Sequence, residues 1–122
     1  MSGAAKRPWP SELRLDAART TLTVTFDTGE RIALAAEYLR VESPSAEVQG
    51  HGPGQKQVVA GKAKVRIEAL EPVGNYAVRI RFDDGHDTGL YTWGYLRELA
   101  EQRDQRMTAY LQRLKDAGLD RG

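Results

Sequence analysis

From Thr21 to Phe26 the side chains alternate. Leu22, Val24 and Phe26 fall on one parity and Thr21, Thr23 and Thr25 on the other, the period of a strand covered on a single face. Ile32 and Leu34 continue the apolar parity beyond Asp27-Thr28-Gly29, where glycine can supply the positive φ of a bulged hairpin turn. Residues 35–41 then read as a short helix. The same order returns from Val78: Val78, Ile80 and Phe82 alternate with Arg79 and Arg81, Asp83-Asp84-Gly85 turns, and Tyr95-Leu96-Arg97 answers Tyr38-Leu39-Arg40. The chain therefore carries two hairpin-then-helix units, at 22–40 and 78–97, with one residue inserted in the second. Residues common to both copies are explained first by a shared folding role. Departures carry the functional information, and the chief one is His86, where the first copy has Glu30.

Further periodic stretches complete the outline. Leu13-Arg14-Leu15 suits a short edge strand before a turn at Asp16-Ala17-Ala18, and Val65, Ile67 and Ala69 alternate with Lys64, Arg66 and Glu68. The last helix is expected to start at an N-capping Thr92 and to run to about Ala117, with Gly118 as its stop. Trp93, Leu96, Leu99 and Ala100 would cover the inner face of the sheet; past Arg103, the stripe Met107, Tyr110, Leu111 and Leu114 either continues that packing or offers a partner-binding face. Residues 43–50 have Ser43 in an N-cap position, Pro44 at the first helical position and Gly50 past the end, the pattern of one capped turn. The expected fold is α+β: two hairpin–helix units forming a mainly antiparallel sheet, with a C-terminal helix packed on one face. A disordered N-terminus at 1–8, a single domain at 9–117 and a tail at 118–122 make up the expected organisation.

Composition narrows the class. The 122 residues are material for one modest core. Eighteen basic against 17 acidic side chains give a formal charge of +1. A dedicated nucleic-acid binder would show a basic excess, because phosphate contacts supply most of its affinity. With no cysteine in the sequence, disulfides, thiolate metal sites and a cysteine nucleophile are excluded. No run of 18 apolar residues occurs and the N-terminal residues form no apolar signal segment, so a cytoplasmic setting without membrane contact is expected.

Motifs for chemistry are sparse. Gly50-His51-Gly52-Pro53-Gly54-Gln55-Lys56 is glycine-rich, yet Gly61-Lys62 is followed by Ala63 and lacks the upstream glycine of a P-loop, and the glycine spacing at 50–54 opens no dinucleotide-binding helix. There is no nucleophile elbow, and no His–Asp pair stands around a plausible serine. His51 and His86 are the two histidines. Asp83 and Asp84 are what a tight turn wants, because short carboxylates bond to nearby backbone N–H groups. His86 shares parity with Thr88 and Leu90 and should lie toward the core at the sheet edge, as a hydrogen-bonded structural histidine or a ligand contact.

Several of these segments together carry a resemblance. Trp9-Pro10-x-Glu12-Leu13, Phe26-Asp27-x-Gly29, Leu39-Arg40 before Ser43-Pro44-Ser45-Ala46-Glu47, and Val73-Gly74-x-Tyr76-Ala77 leading into Asp84-Gly85-His86-x-Thr88-Gly89-x-Tyr91-x-Trp93-x-Tyr95-Leu96-Arg97 resemble the gamma-butyrobetaine hydroxylase-like N-terminal domain family. The resemblance implies a domain that, in the carnitine-pathway hydroxylases, precedes a separate iron- and 2-oxoglutarate-dependent catalytic domain. It also implies a structural zinc held by a Cys-x-Cys-x-x-Cys run after the Leu-Arg pair and by the histidine of Asp-Gly-His. The cysteine places fall here on Ser43, Ser45 and Val48, and the histidine on His86. Three of the four ligands are thus absent, and no facial-triad motif follows. Similar domains also stand alone in bacteria or are joined to P-loop ATPases of iron–sulfur cluster delivery.

The expected function is that of a non-catalytic accessory or adaptor domain with a protein partner, iron–sulfur- or oxygenase-related. Its expected docking residues are His86, Tyr91 and Trp93, the glycine loop with His51 and Lys56, and Arg79 and Arg81 on the open sheet face. No cofactor is expected. The alternative is a metal-binding protein of iron or iron–sulfur handling that places iron or zinc at His86 with Asp83, Asp84 or Asp87, and nucleic-acid binding through the outer-face basic residues is a third reading.

Overall fold

A computed structural model of the chain describes residues 9–50 and 56–122. Its mixed architecture is the α+β class read from the sequence, with each repeat unit building its own three-stranded antiparallel sheet. The first sheet has the order β1 (Pro10–Leu15), β2 (Thr21–Phe26), β3 (Arg31–Ala35) and leads into α1 (Ala36–Val41). After α2 (Ala46–Gln49), the second sheet runs β4 (Ile67–Val73), β5 (Ala77–Phe82), β6 (Leu90–Thr92) and leads into α3 (Trp93–Glu101), followed by α4 (Arg103–Asp116).

The internal repeat extends further than the sequence showed. Phe26 N–H donates to Glu30 O at 2.8 Å and Gly29 N–H to Phe26 O at 2.9 Å, and the second turn repeats both bonds, Phe82 to His86 at 2.9 Å and Gly85 to Phe82 at 3.1 Å. Gly29 and Gly85 hold φ of 89° and 92°, where a side chain would be strained. The aspartate after each phenylalanine ties its turn to the preceding strand. Asp27 N–H donates to Trp9 O at 2.7 Å, and Asp83 N–H to Arg66 O at 2.9 Å. Even the bulges correspond, at Pro10/Glu12 in one unit and Ile67/Ala69 in the other. β1 and β4 are therefore equivalent first strands that sequence similarity does not reveal.

The apolar parities of β2 and β5 close one core. Leu22, Val24, Phe26, Val78, Ile80 and Phe82 are all buried against Leu34, Leu39, Tyr91, Leu96 and Leu99. The expected single C-terminal helix is broken at Gln102 (φ −103°, ψ 17°), so that α3 covers the sheets while α4 turns to a second cluster. There Tyr110 and Leu114 pack on Val41, with Val58, Val59 and Met107 around them, so most of the second stripe is ordinary packing. Leu111 alone of that stripe is left exposed. Residues after α4 fold back: Asp120 O and Arg121 O accept from Gly61 and Ala63 N–H, and Arg121 grips the Glu37 carboxylate with two nitrogens, at 2.6 and 2.8 Å. No helix among the described residues is long and apolar enough to cross a membrane.

Candidate functional site

The inserted residue in the second unit shapes the polar centre of the molecule. His86 O still closes the turn, as Glu30 O does, but residues 86–89 leave the ladder before β6 resumes at Leu90. The parity expected for this stretch holds for His86, which is 6% exposed, and fails for Leu90, which is 41% exposed. Out of the ladder, the imidazole turns toward the segment after α1. Its Nε2 lies 2.8 Å from Ser43 Oγ and its Nδ1 lies 3.0 Å from Glu47 Oε1, while His86 N–H donates to Asp84 Oδ1 at 3.0 Å.

A second layer fixes this pair. Ser43 Oγ accepts from Ser45 N–H at 3.2 Å; Ser45 Oγ accepts from Glu47 N–H at 3.1 Å and meets Thr88 Oγ1 at 2.7 Å; and Thr88 donates to Glu47 Oε1 at 3.1 Å. The cap of α2 is therefore Ser45, not Ser43 as the sequence pattern suggested, because the Ser43 hydroxyl is taken by His86. Burial is the main force holding the His86 pKa below 6.5, and the nearby Arg40 charge adds to it. A neutral ring has one donor and one acceptor nitrogen. The network assigns the proton to Nδ1, facing the Glu47 carboxylate, and leaves Nε2 to accept from Ser43.

Ser43–His86–Glu47 has the connectivity of a nucleophile, base and orienting carboxylate. The sequence offered no His–Asp pair around a serine; in the fold a glutamate from α2 stands in the acid's place. It is built inside out. Ser43 is fully buried, whereas the Glu47 side chain is 63% exposed. A Cβ on Gly89 would come within 2.5 Å of Ser43 Oγ and 3.1 Å of Tyr91 Cε1, so the space beside the hydroxyl is already filled. The arrangement braces the α1–α2 segment against the second hairpin.

Tested against the zinc that the resemblance implies, the donors do not fit. Val48 is buried and offers no donor atom, hydroxyls are poor zinc ligands, and both ring nitrogens of His86 are engaged. The carboxylates of the oxygen-rich alternative have other partners. Asp84 Oδ2 is held by Arg40 Nε and Lys62 Nζ, each at 2.7 Å. Burial opposes ionisation of Asp84, but the hydrogen bonds from Lys62, the His86 N–H and Arg40 outweigh it and bring its pKa down to about 2. Asp87 acts on Arg79, whose pKa is raised first by its hydrogen bond to Glu71 and in smaller part by the Asp87 charge. Among the described residues no three His, Asp or Glu side chains converge as a metal site.

Several expected docking residues are taken up by the fold. Tyr91 is fully buried and its hydroxyl donates to Leu39 O at 2.5 Å; burial drives its phenol pKa well above 10. Arg79 is bonded to Glu71 across the β4–β5 pair, and Arg81 lies near Glu68 and Glu71 at 3.7 and 3.9 Å, so the open sheet face is a lattice of paired charges. Lys56 is 2.9 Å from Glu42, a carboxylate 1% exposed that also meets Arg106 at 2.8 Å and Arg113 at 3.7 Å. His51 and the rest of 51–55 lie outside the described residues.

Trp93 has a different setting. Its Nε1 donates to Asn75 O at 3.0 Å, which swings the indole toward the β4–β5 turn, and the ring lines an open groove with Trp9 and Tyr76. Trp9 and Tyr76 are 47% and 50% exposed. Arg97, Glu98 and Glu101 of α3 also line the groove. The sequence reading missed Trp9 and Tyr76 as a pair with Trp93, because the three are brought together from the start of β1, a turn and the start of α3.

The family described as gamma-butyrobetaine hydroxylase-like, N-terminal, matches residues 13–97 of this chain. Two proteins solved by NMR in solution are 46% and 45% identical to it; they align over 95% and 99% of this chain and 91% and 90% of their own, with TM-scores of 0.79 and 0.81. A crystal structure of a protein of unknown function of the DUF971 family, from Acidithiobacillus ferrooxidans, is 40% identical over 75% of this chain and 91% of its own, with a TM-score of 0.62. No curated protein matches. With a match over most of its length and relatives of this identity aligned nearly end to end, the chain belongs to the gamma-butyrobetaine hydroxylase-like N-terminal domain family.

Proposed function

We propose that this domain is a non-catalytic, cytoplasmic accessory module that docks a protein partner through the Trp9–Tyr76–Trp93 groove. The observation that carries the reading is the contrast between two sites. The polar cluster around His86 spends its donors and acceptors internally, whereas the groove leaves large aromatic side chains half in water. Exposed aromatic clusters of that kind are the usual anchors of protein interfaces. In the same reading the Ser43–His86 hydrogen bond does the bracing that zinc does in relatives with cysteines, so no resident metal is required.

The test is photo-crosslinking in cells, with p-benzoylphenylalanine in place of Tyr76 and, as a control, in place of the exposed Gln112 on α4. The expected result is a discrete crosslinked species from position 76 that is lost when Trp9→Ala is added. Equal, diffuse crosslinking from both positions would overturn the docking reading.

A further inference from the structure

The groove also says what kind of group would occupy it. Several aromatic faces elsewhere in the molecule are used: Phe82 meets His86, Tyr91 meets Tyr95, and the guanidinium groups of Arg97 and Arg106 lie over Phe26 and Tyr95, at 5.5 and 5.7 Å from the ring centroids. Trp9, Tyr76 and Trp93 take part in none of these pairs among the described residues. The groove encloses about 740 Å³, room for a side chain together with the backbone that carries it.

Charge along the groove gives the sign. Arg97 is neutralised by Glu30 at 3.1 Å and Glu98 by Arg106 at 2.7 Å. Glu101 is exposed and lines the groove, with no ion pair among the described residues. What the groove presents is one unneutralised carboxylate beside the exposed rings of Trp9 and Tyr76 and the half-buried indole of Trp93. An anionic ligand would be repelled, and an aliphatic one would make no use of the carboxylate. A cation is favoured by both. Arginine suits the site better than lysine, since its planar guanidinium can stack on a ring while its edge donates to a carboxylate.

We propose that the groove recognises an arginine side chain displayed on an extended segment of a protein partner. This deepens the docking reading of the same groove and rests on it. The probes are two blocked tripeptides, acetyl-Gly-Arg-Gly-amide and its citrulline counterpart, which has the same shape and no charge. Each is titrated into the ¹⁵N-labelled chain while the indole N–H signals of Trp9 and Trp93 and the amide of Tyr76 are followed by NMR.

Saturable shifts at all three positions are expected with the arginine peptide, with binding about fivefold weaker for citrulline and a similar loss for Glu101→Gln. Absence of saturable shifts, equal affinity for both peptides, or no effect of Glu101→Gln would each overturn the proposal. The two readings fail separately. If the arginine peptide does not bind while crosslinking from position 76 persists, docking stands with another occupant; if that crosslinking is absent, the docking reading itself falls.

Discussion

Ser43 Oγ and His86 Nε2 meet at 2.8 Å between the end of the first repeat unit and the turn of the second, at a place where both residues are buried. The contact joins positions 43 apart in the chain, and one histidine outside a strand ladder makes it possible. Ser43 donates to the ring and accepts from Ser45 N–H, so its hydroxyl serves both the histidine and the start of α2.

Ser43→Ala should therefore do more damage than the loss of one hydroxyl suggests. It leaves His86 Nε2 and Ser45 N–H without partners in a closed site, at an expected cost of about 1–3 kcal/mol. Urea denaturation measures it. In the wild type, long-range ¹H–¹⁵N correlation of the His86 ring should show the proton on Nδ1; a proton on Nε2 would contradict the network assigned to this site.

Restoring the thiolates tests the link between this cluster and zinc. The variant Ser43→Cys/Ser45→Cys/Val48→Cys supplies thiolates at the three places that the resemblance assigns to zinc ligands, with His86 as the fourth. It is expected to bind one Zn(II) with release of protons, and to lose that binding when His86→Ala is added. Titrated with Zn(II) under the same conditions, the native chain should show no saturable change in the His86 ring signals.

Acid should weaken the fold in two separate windows. The His86 pKa lies below 6.5, chiefly because of burial, so as pH falls below 6.5 the unfolded chain takes up a proton that the native chain refuses, and stability drops until the native pKa is passed. Asp84 is the opposite ionisation with the same outcome: its contribution is complete above 3.8 and is lost as pH falls through 3.8 toward about 2. Chemical-denaturation midpoints across this range should decline in both windows. His86→Gln should flatten the upper decline and Asp84→Asn the lower, while His51→Gln serves as the control for the other histidine.

Two glycines separate conformational strain from close packing. Gly85 has φ of 92° and no atom within 4 Å of where a Cβ would sit, so Gly85→Ala should cost about 1–2 kcal/mol through backbone strain alone. At Gly89 a Cβ would meet Ser43 Oγ at 2.5 Å and Pro44 Cδ at 3.4 Å. Gly89→Ala should cost about 1–3 kcal/mol and shift the His86 ring signals, which Gly85→Ala should leave in place. Denaturation and NMR of the two variants read the difference.

Much of the fold was legible because the repeat doubles its own evidence. The alternation at 21–26 is confirmed by that at 78–82, and the two Phe-Asp-x-Gly turns fold alike down to their bulges. What was not legible depends on side chains meeting across the repeat. Nothing in the order of residues says that Glu47 would reach His86, that Tyr91 would be sealed by Leu39, or that Trp9 and Tyr76 would flank Trp93. The break at Gln102 was equally hidden. Arg103, which interrupts the apolar stripe, is spent on Ala33 O at the first sheet, and that contact accompanies the turn of α4 away from α3.

The repeat also exchanges its arginines. Arg40, at the end of the first unit's Tyr-Leu-Arg, reaches Asp84 in the second turn at 2.7 Å, and Arg97, its equivalent in the second unit, reaches Glu30 in the first at 3.1 Å. The two pairs differ in burial. Side-chain exposures are 12% and 18% for Arg40 and Asp84, against 28% and 43% for Arg97 and Glu30. A more exposed pair is screened by water and should couple by no more than about 1 kcal/mol. Asp84 also neutralises Lys62, so Asp84→Ala strands two cations in a largely dry site and should cost about 2–4 kcal/mol, well above Glu30→Ala. Double-mutant cycles on Arg40/Asp84 and Arg97/Glu30, read by urea denaturation, decide it. Equal coupling energies would mean that the two crossings match in strength although their carboxylates stand at different places in the two turns, and that the centre around His86 is no better sealed than the rim.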